Sequence, residues 1–216
     1  MTKESNGDGS GRPGSDPRRL VLATANPDKA REIVAIIAGT AGDAVELRPR
    51  PAEVAEVEET GETLEENARL KAYALLNATG MAALADDTGL EVDALGGAPG
   101  VYSARFAGEG ASYDDNVAKL LAALAPFPAP EERRARFRTV ALACFPDRND
   151  IVAHGVVDGT IADERRGSGG FGYDPVFIPD GGDGRTYAEM NLAEKSALSH
   201  RGKAFRALAA GLLSGS

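Results

Sequence analysis

The stretch Gly167-Ser168-Gly169-Gly170-Phe171-Gly172-Tyr173-Asp174-Pro175 constrains this chain more than any other. Four glycines in six positions let the backbone take positive φ and approach a ligand closely at little steric cost. The stretch is therefore a loop, ended by Pro175, with Val176-Phe177-Ile178 reading as the strand behind it. A ring to stack on (Phe171) and polar groups to orient a ligand (Tyr173, Asp174) make it a pocket for a flat molecule. The glycines alone would equally suit a tight turn between strands. Their spacing also matches a dinucleotide fingerprint, but Asp174-Pro175 and a strand follow where that motif needs a helix, so the match is coincidental.

The rest of the composition sets bounds. At 216 residues, 43% apolar and 26% charged, the chain fits one globular domain. No apolar run approaches the length of a membrane span, and the hydrophilic start predicts no secretory signal. The single cysteine, Cys144, excludes an internal disulfide and sits in an apolar run as a buried hydrophobe, which suits a reducing cytoplasm. A net charge of −9 argues against duplex nucleic acid or an anionic membrane as a general partner. An anionic small molecule remains compatible if cations gather at its site.

Met1 to about Asp16 has almost nothing to bury and reads as a disordered tail, so residues 1–17 precede one domain over 18–216. Leu20 to Thr24 is the first strand. Asn26 is a good N-cap and Pro27 a good first residue for a helix over Ala30 to about Ala38, with Gly39 ending it. A helix N-terminus with free amides, beside Thr24, Asn26 and Lys29, forms an anion cradle. Thr63 and Glu66 form a capping box for a helix reaching about Thr79, on which Asn67 and Lys71 lie one turn apart. Ala82 to Ala85 is a short strand ending at Asp86-Asp87-Thr88-Gly89. Adjacent carboxylates followed by a hydroxyl suit a magnesium-assisted phosphate site. Leu90 to Phe106 reads as an irregular surface flap, and Ser112 to about Ala125 as a helix. Arg136–Phe145 and Ile151–Ile161 read as an antiparallel pair carrying a structural His154. Asn191 and Glu194 cap a last helix running to about Leu213, with Lys195, Ser199, His200, Arg201 and Lys203 in its first half.

Together these motifs resemble the inosine triphosphate pyrophosphatase family. The resemblance covers Leu20 to Leu213 and rests on Ala23-Thr24-Ala25-Asn26-Pro27-Asp28-Lys29, Glu58-Glu59-Thr60-Gly61, Glu66-Asn67-Ala68 with Lys71-Ala72, Ala85-Asp86-Asp87-Thr88-Gly89, Gly97 to Arg105, Gly169 to Pro175, Glu194-Lys195-Ser196 and Ser199-His200-Arg201. It implies a two-lobed α/β fold, a long mixed twisted β-sheet flanked by helices, with the active site in the cleft between lobes. It implies a homodimer that uses Mg2+ to hydrolyse ITP, dITP and XTP to the monophosphate and pyrophosphate. Carried over by motif, Thr24, Ala25, Asn26, Pro27, Asp28 and Lys29 would hold phosphates with help from Lys71. Glu58 and Asp87 would hold the metal, with Asp87 as proton acceptor, and Thr88 would contact substrate. Phe171, Gly172, Tyr173, Asp174, Lys195, His200 and Arg201 would complete the nucleotide pocket. Thr88 stands where the family often has serine, which keeps the hydroxyl. The choice between Glu58 and Glu59, and any part for Asp86, stays open at this point.

A 6-keto purine offers an acceptor where adenine offers an amino donor. Arg201 or backbone amides would donate hydrogen bonds to the keto oxygen and leave adenine's amine unpaired. Two other readings compete. An aspartyl-phosphate phosphatase would need a residue between its two aspartates, which are adjacent in this chain. A non-catalytic nucleotide sensor would need the aromatic loop and the cations but no metal carboxylates.

Overall fold

The computed structural model describes residues 17–214. Apart from Pro17, the tail expected over residues 1–17 lies outside the described residues. Strand β1 (Arg18–Leu22) feeds helix α1 (Pro27–Ala41), and β2 (Val45–Arg48) returns parallel to β1. Helix α2 (Leu64–Thr79) crosses over to β3 (Ala83–Val92), parallel to β1 on its other side. The two-residue β4 (Pro99–Gly100) folds back on the end of β3, followed by α3 (Tyr113–Ala123). The long strands β5 (Arg134–Cys144) and β6 (Ile151–Ile161) extend the sheet antiparallel, and β7 (Phe177–Pro179) joins its far side. Helices α4 (Leu192–Leu198) and α5 (His200–Ser214) close the chain. The result is one mixed seven-stranded sheet in the order β2-β1-β3-β5-β6-β7, with β4 on β3.

Strand alternation sorts the core onto two faces. Leu20, Leu22 and Leu84 pack with Ile33, Ile36 and Ile37 of α1 and with Phe205 and Leu208 of α5. Val21, Ala83 and Ala85 face the other way, against Ala68, Ala72 and Leu75 of α2, together with the buried Cys144. A third cluster gathers Leu120 and Leu124 with Val92, Phe137, Phe177 and Tyr187 at the far end. Each fully buried Leu, Ile or Phe contributes about 2 kcal/mol relative to an exposed one. Among the described residues no helix is long and apolar enough to cross a membrane.

Three boundaries differ from the sequence expectation. Helix α1 runs through Gly39 and stops at Gly42, which takes φ 52° as the cap residue. One glycine in a helix costs only about 1 kcal/mol, which tertiary packing of α1 overrides. The strand expected to end at Asp86 instead runs ten residues, through both aspartates to Val92, and absorbs the first part of the expected flap. The single C-terminal helix is two helices: Ser199 adopts an extended conformation (φ −71°, ψ 155°) and its hydroxyl accepts a hydrogen bond from Gly202 N, capping α5 afresh.

Candidate active site

β1 and β4 lie on the same side of β3 but leave a gap. The last hydrogen bond from β1's side is Ala23 N to Leu84 O, and β4 does not join until Leu90. Between them Ala85 to Gly89 present an open strand edge, so the two aspartates sit where β1 ends rather than where their own strand ends. The segment Thr24 to Lys29 enters this gap. Asn26 Oδ1 accepts from Asp28 N (2.9 Å) and Lys29 N (3.2 Å), so the first amides of α1 are capped rather than free. Asn26 Nδ2 reaches Tyr113 Oη at 2.6 Å. Ala25 and Pro27 are exposed, and Asp28 pairs along the helix with Arg31 at 3.4 Å.

Alternation sends the adjacent aspartates to opposite faces. Asp86, 2% exposed, lies with α1 and α5: Lys29 Nζ is 3.3 Å and Arg201 Nε 3.6 Å from its Oδ2. Burial alone would raise its pKa, but Lys29, Arg201 and Lys71 together outweigh burial and hold the carboxyl at about 2. Asp87 lies with α2: Lys71 Nζ is 3.0 Å from Oδ1 and Asn67 Nδ2 3.3 Å from Oδ2. Its burial prevails over the pull of Lys71 and Lys29, and its pKa is raised. Lys71 also meets Glu59 at 2.9 Å. Glu59, not Glu58, is therefore the acid that shares a lysine with Asp87, while Glu58 is exposed on the wall of the same cleft. Arg105, from the stretch read as a flap, bonds Glu59 through both carbonyl and carboxylate, at 3.2 and 3.6 Å.

The aromatic loop folds back on itself around Asp174. Its Oδ2 accepts from Phe171 N at 2.7 Å and from Lys195 Nζ at 2.5 Å. Gly170 (φ 68°) is obligatory, because a Cβ there would lie 2.1 Å from Asp174 Oδ2. Tyr173 is buried and donates to Ser103 O at 3.0 Å, which ties the loop to the segment after β4. Beneath the loop, Lys195 and Arg201 share Glu32 of α1, at 2.5 and 2.6 Å. The first half of the C-terminal helical region is thus no solvated basic face: Lys195, His200 and Arg201 are 4%, 2% and 2% exposed. Burial of Glu32 is outweighed by Arg201 and Lys195, and its pKa is lowered. Lys195 Nζ and Arg201 Cζ stand 4.7 and 5.4 Å from the centre of the Phe171 ring, holding it by cation–π contact. Gly155 of β6 admits α5 this closely, since a Cβ there would meet His200 O at 1.9 Å. Burial and the neighbouring cations push the His200 pKa well down, so the ring is neutral. His154 is exposed on β6, away from this group.

These parts frame two connected spaces. A cleft of about 540 Å³ is lined by Thr24, Lys29, Glu58, Glu59, Lys71, Asp86 and Arg105, and also by Arg50. A cavity of about 120 Å³ is lined by Asp87, Thr88, Tyr113, Phe137, Phe171, His200 and Arg201. Asn26, Lys29, Glu59 and Ala104 belong to both walls. The cleft can take a charged chain and the cavity a flat ring. The sequence reading named most of these residues but missed Glu32, Tyr113 and Arg105. Glu32 had a signal: it interrupts the apolar face of α1 one turn before Ile36, where a charge needs a buried partner.

Among the described residues no three His, Cys, Asp or Glu side chains converge as a ready-made metal site. The donor chemistry nevertheless fits a hard cation. Asp86 Oδ1 is buried without a hydrogen-bond partner, and Glu58, Glu59 and Asp87 add oxygens around the cleft. Magnesium is commonly held by one or two carboxylates together with substrate phosphates rather than by an all-protein cage.

Residues 20–211 match the model of the Ham1 family. The dITP/XTP pyrophosphatase of Geobacter sulfurreducens is 50% identical over 190 residues, covering 88% of this chain and 94% of that protein. The dITP/XTP pyrophosphatase of Streptomyces coelicolor is 48% identical over 192 residues, with the same 88% and 94% coverage. The structure of a HAM1 protein from Coxiella burnetii superposes with a TM-score of 0.80 at 39% identity, over 91% of this chain and 98% of that one. A nucleoside-triphosphatase (dITP/XTP pyrophosphatase) from Mycobacterium abscessus superposes with a TM-score of 0.69 at 42% identity, over 92% and 100%.

Proposed function

The chain belongs to the Ham1 family, and from that premise we propose that it hydrolyses the non-standard purine nucleoside triphosphates ITP, dITP and XTP to the monophosphate and pyrophosphate. The observation that carries this reading is the continuity of the charged cleft with the aromatic cavity at Asn26, Lys29 and Glu59. A nucleotide spanning both would put its base against Phe171 and its phosphates between Lys29 and Lys71.

A divalent cation, magnesium by its preference for hard oxygens, would be held by Asp87 with Glu58, Glu59 or Asp86 and would supply charge against the phosphates and acidify water. Asp87 is the proton acceptor of this scheme. Its raised pKa brings it closer to the basicity a general base needs, while Lys71 and Asn67 fix its two oxygens in place. Lys29 and Lys71 stabilise negative charge on the phosphates as the bond to the α-phosphorus breaks. The Asn26 cap sets the direction in which α1 delivers Lys29. Phe171 stacks on the base, held from behind by Lys195 and Arg201. Thr88 lies between Asp86 and Arg201 on the wall of the aromatic cavity, where its side chain would contact the substrate.

The reading extends to a homodimer of two-lobed domains, as the family resemblance implies, and to the cytoplasm, which the single cysteine suits. Light scattering during size-exclusion chromatography tests the dimer. The reaction is tested by incubating the protein with ITP and magnesium and separating the products, with GTP as control. IMP and pyrophosphate, with GTP largely spared, are expected. IDP and orthophosphate would place the attack on a different phosphorus and overturn the roles given to Asp87 and Lys29. Tight ITP binding without turnover would favour a sensor.

A further inference from the structure

A chain of hydroxyl groups runs through the sheet from Asp86 to His200. Thr88 Oγ1 lies 3.3 Å from Asp86 Oδ2 and 2.7 Å from Thr139 Oγ1, and Thr139 Oγ1 lies 2.6 Å from His200 Nδ1. Thr88 and Thr139 are direct partners across β3 and β5. Thr139 is 1% exposed and does not line the aromatic cavity, whereas His200 does.

We propose that Thr139 is a positioning residue that holds His200 in the tautomer protonated on Nδ1, so that a bare Nε2 faces the aromatic cavity as a hydrogen-bond acceptor.

A carboxylate only accepts, so the hydrogen in the Thr88–Asp86 contact is Thr88's. Arg201 only donates, and its Nη2 gives Thr88 a second bond at 3.3 Å. A hydroxyl has one hydrogen, so towards Thr139 Thr88 is the acceptor and Thr139 the donor. That leaves Thr139 with lone pairs only for His200, whose Nδ1 must carry the proton. The reverse order would leave the Thr88–Asp86 contact without a hydrogen. The hydrogen bond that the structure gives the His200 ring is the one at Nδ1, and a neutral ring protonated there leaves Nε2 bare. The use of that acceptor rests on the base-pocket reading above. The N1 of a 6-keto purine carries a hydrogen that Nε2 can accept. Adenine presents a lone pair at N1, which Nε2 would repel.

The test uses full-length, nitrogen-15-labelled protein at neutral pH. Long-range proton–nitrogen correlation reads the protonation of each imidazole nitrogen. Only His154 and His200 contribute, and an H154Q variant assigns the His154 signals by their loss. Wild type and T139S should show a protonated Nδ1 and a bare Nε2 on His200. T88V should release the Thr139 hydrogen towards Nδ1 and move the proton to Nε2, while T139V should show no single tautomer. The ratio of kcat/KM for ITP over ATP should fall on the order of tenfold in T139V, through KM, and return in T139S. A proton on Nε2 in wild type, or a His200 spectrum unmoved in both T139V and T88V, would overturn the proposal. A tautomer that shifts as expected with an unchanged ITP/ATP ratio would uphold Thr139's role and overturn the base-pocket reading.

Discussion

The two faces of β3 at its aspartates use the same residue type to opposite ends. On the α1/α5 side, Asp86 is enclosed with Lys29, Arg201, Glu32, Lys195 and Asp174, and its pKa is held at about 2. On the α2 side, Asp87 meets Lys71 and Asn67 at the open edge of the strand and its pKa is raised. Burial raises both. The count of cations around each decides the outcome. One aspartate becomes a fixed anion that organises three helices, and the other a carboxylate ready to take a proton. A pair of acids whose surroundings drive their pKa values apart is a pair with separate duties.

Removing the reactive side should cost activity and little stability. D87N is expected to lower kcat by about 10²–10⁴-fold, as loss of a positioned general base does, while ITP binding measured by calorimetry persists. A kcat within tenfold of wild type would end the assignment of Asp87 as proton acceptor. Because ionised Asp87 is disfavoured by the fold, urea unfolding of D87N should give a stability no lower than wild type.

The enclosed side should respond the other way. D86N leaves Lys29 and Arg201 short of an anion in the interior, and urea unfolding should show a loss of about 3 kcal/mol. The same comparison has a pH signature. The lowered pKa of Asp86 gives stability that is present above the unfolded value near 3.8 and lost as pH falls towards about 2. Its share is about 2 kcal/mol. The raised pKa of Asp87 has the opposite sign, since its fold-disfavoured charge disappears on acidification. D86N should flatten the acid limb of the stability curve and D87N should steepen it. Parallel curves for both variants would break the distinction.

Smaller effects sharpen it. F171A removes the stacking platform over Lys195 and Arg201 and should raise KM for ITP about tenfold with kcat nearly unchanged. An unchanged KM would place the base elsewhere. S199A removes the cap of α5, the helix that brings Arg201 to Asp86, and should cost about 1 kcal/mol in thermal or urea unfolding without moving the pH optimum. A shifted optimum would mean that the enclosed side reaches into the chemistry.

Chain neighbours alone settle part of this molecule. The capping boxes at Thr63 and Asn191, the helix start at Ser112, the Asn26 cap before Pro27, and the β5–β6 pair all depend on groups a few residues apart or on strict alternation, and all are in the structure. The order of motifs likewise carried the family. The rest depends on packing between distant parts of the chain. Asp86 and Asp87 looked like the end of a strand because two adjacent charges do not belong in a buried run. The run continues because Lys29, Lys71 and Arg201 arrive from three different helices to neutralise them. Glu59's place beside Lys71, the enclosure of Lys195 and Arg201 around Glu32, and the Thr88–Thr139–His200 chain join residues up to 169 positions apart. Partners so distant leave no periodic mark in the sequence, because the energy that fixes them comes from burying opposite charges together, and which charges are buried together is known only once the sheet and helices have packed.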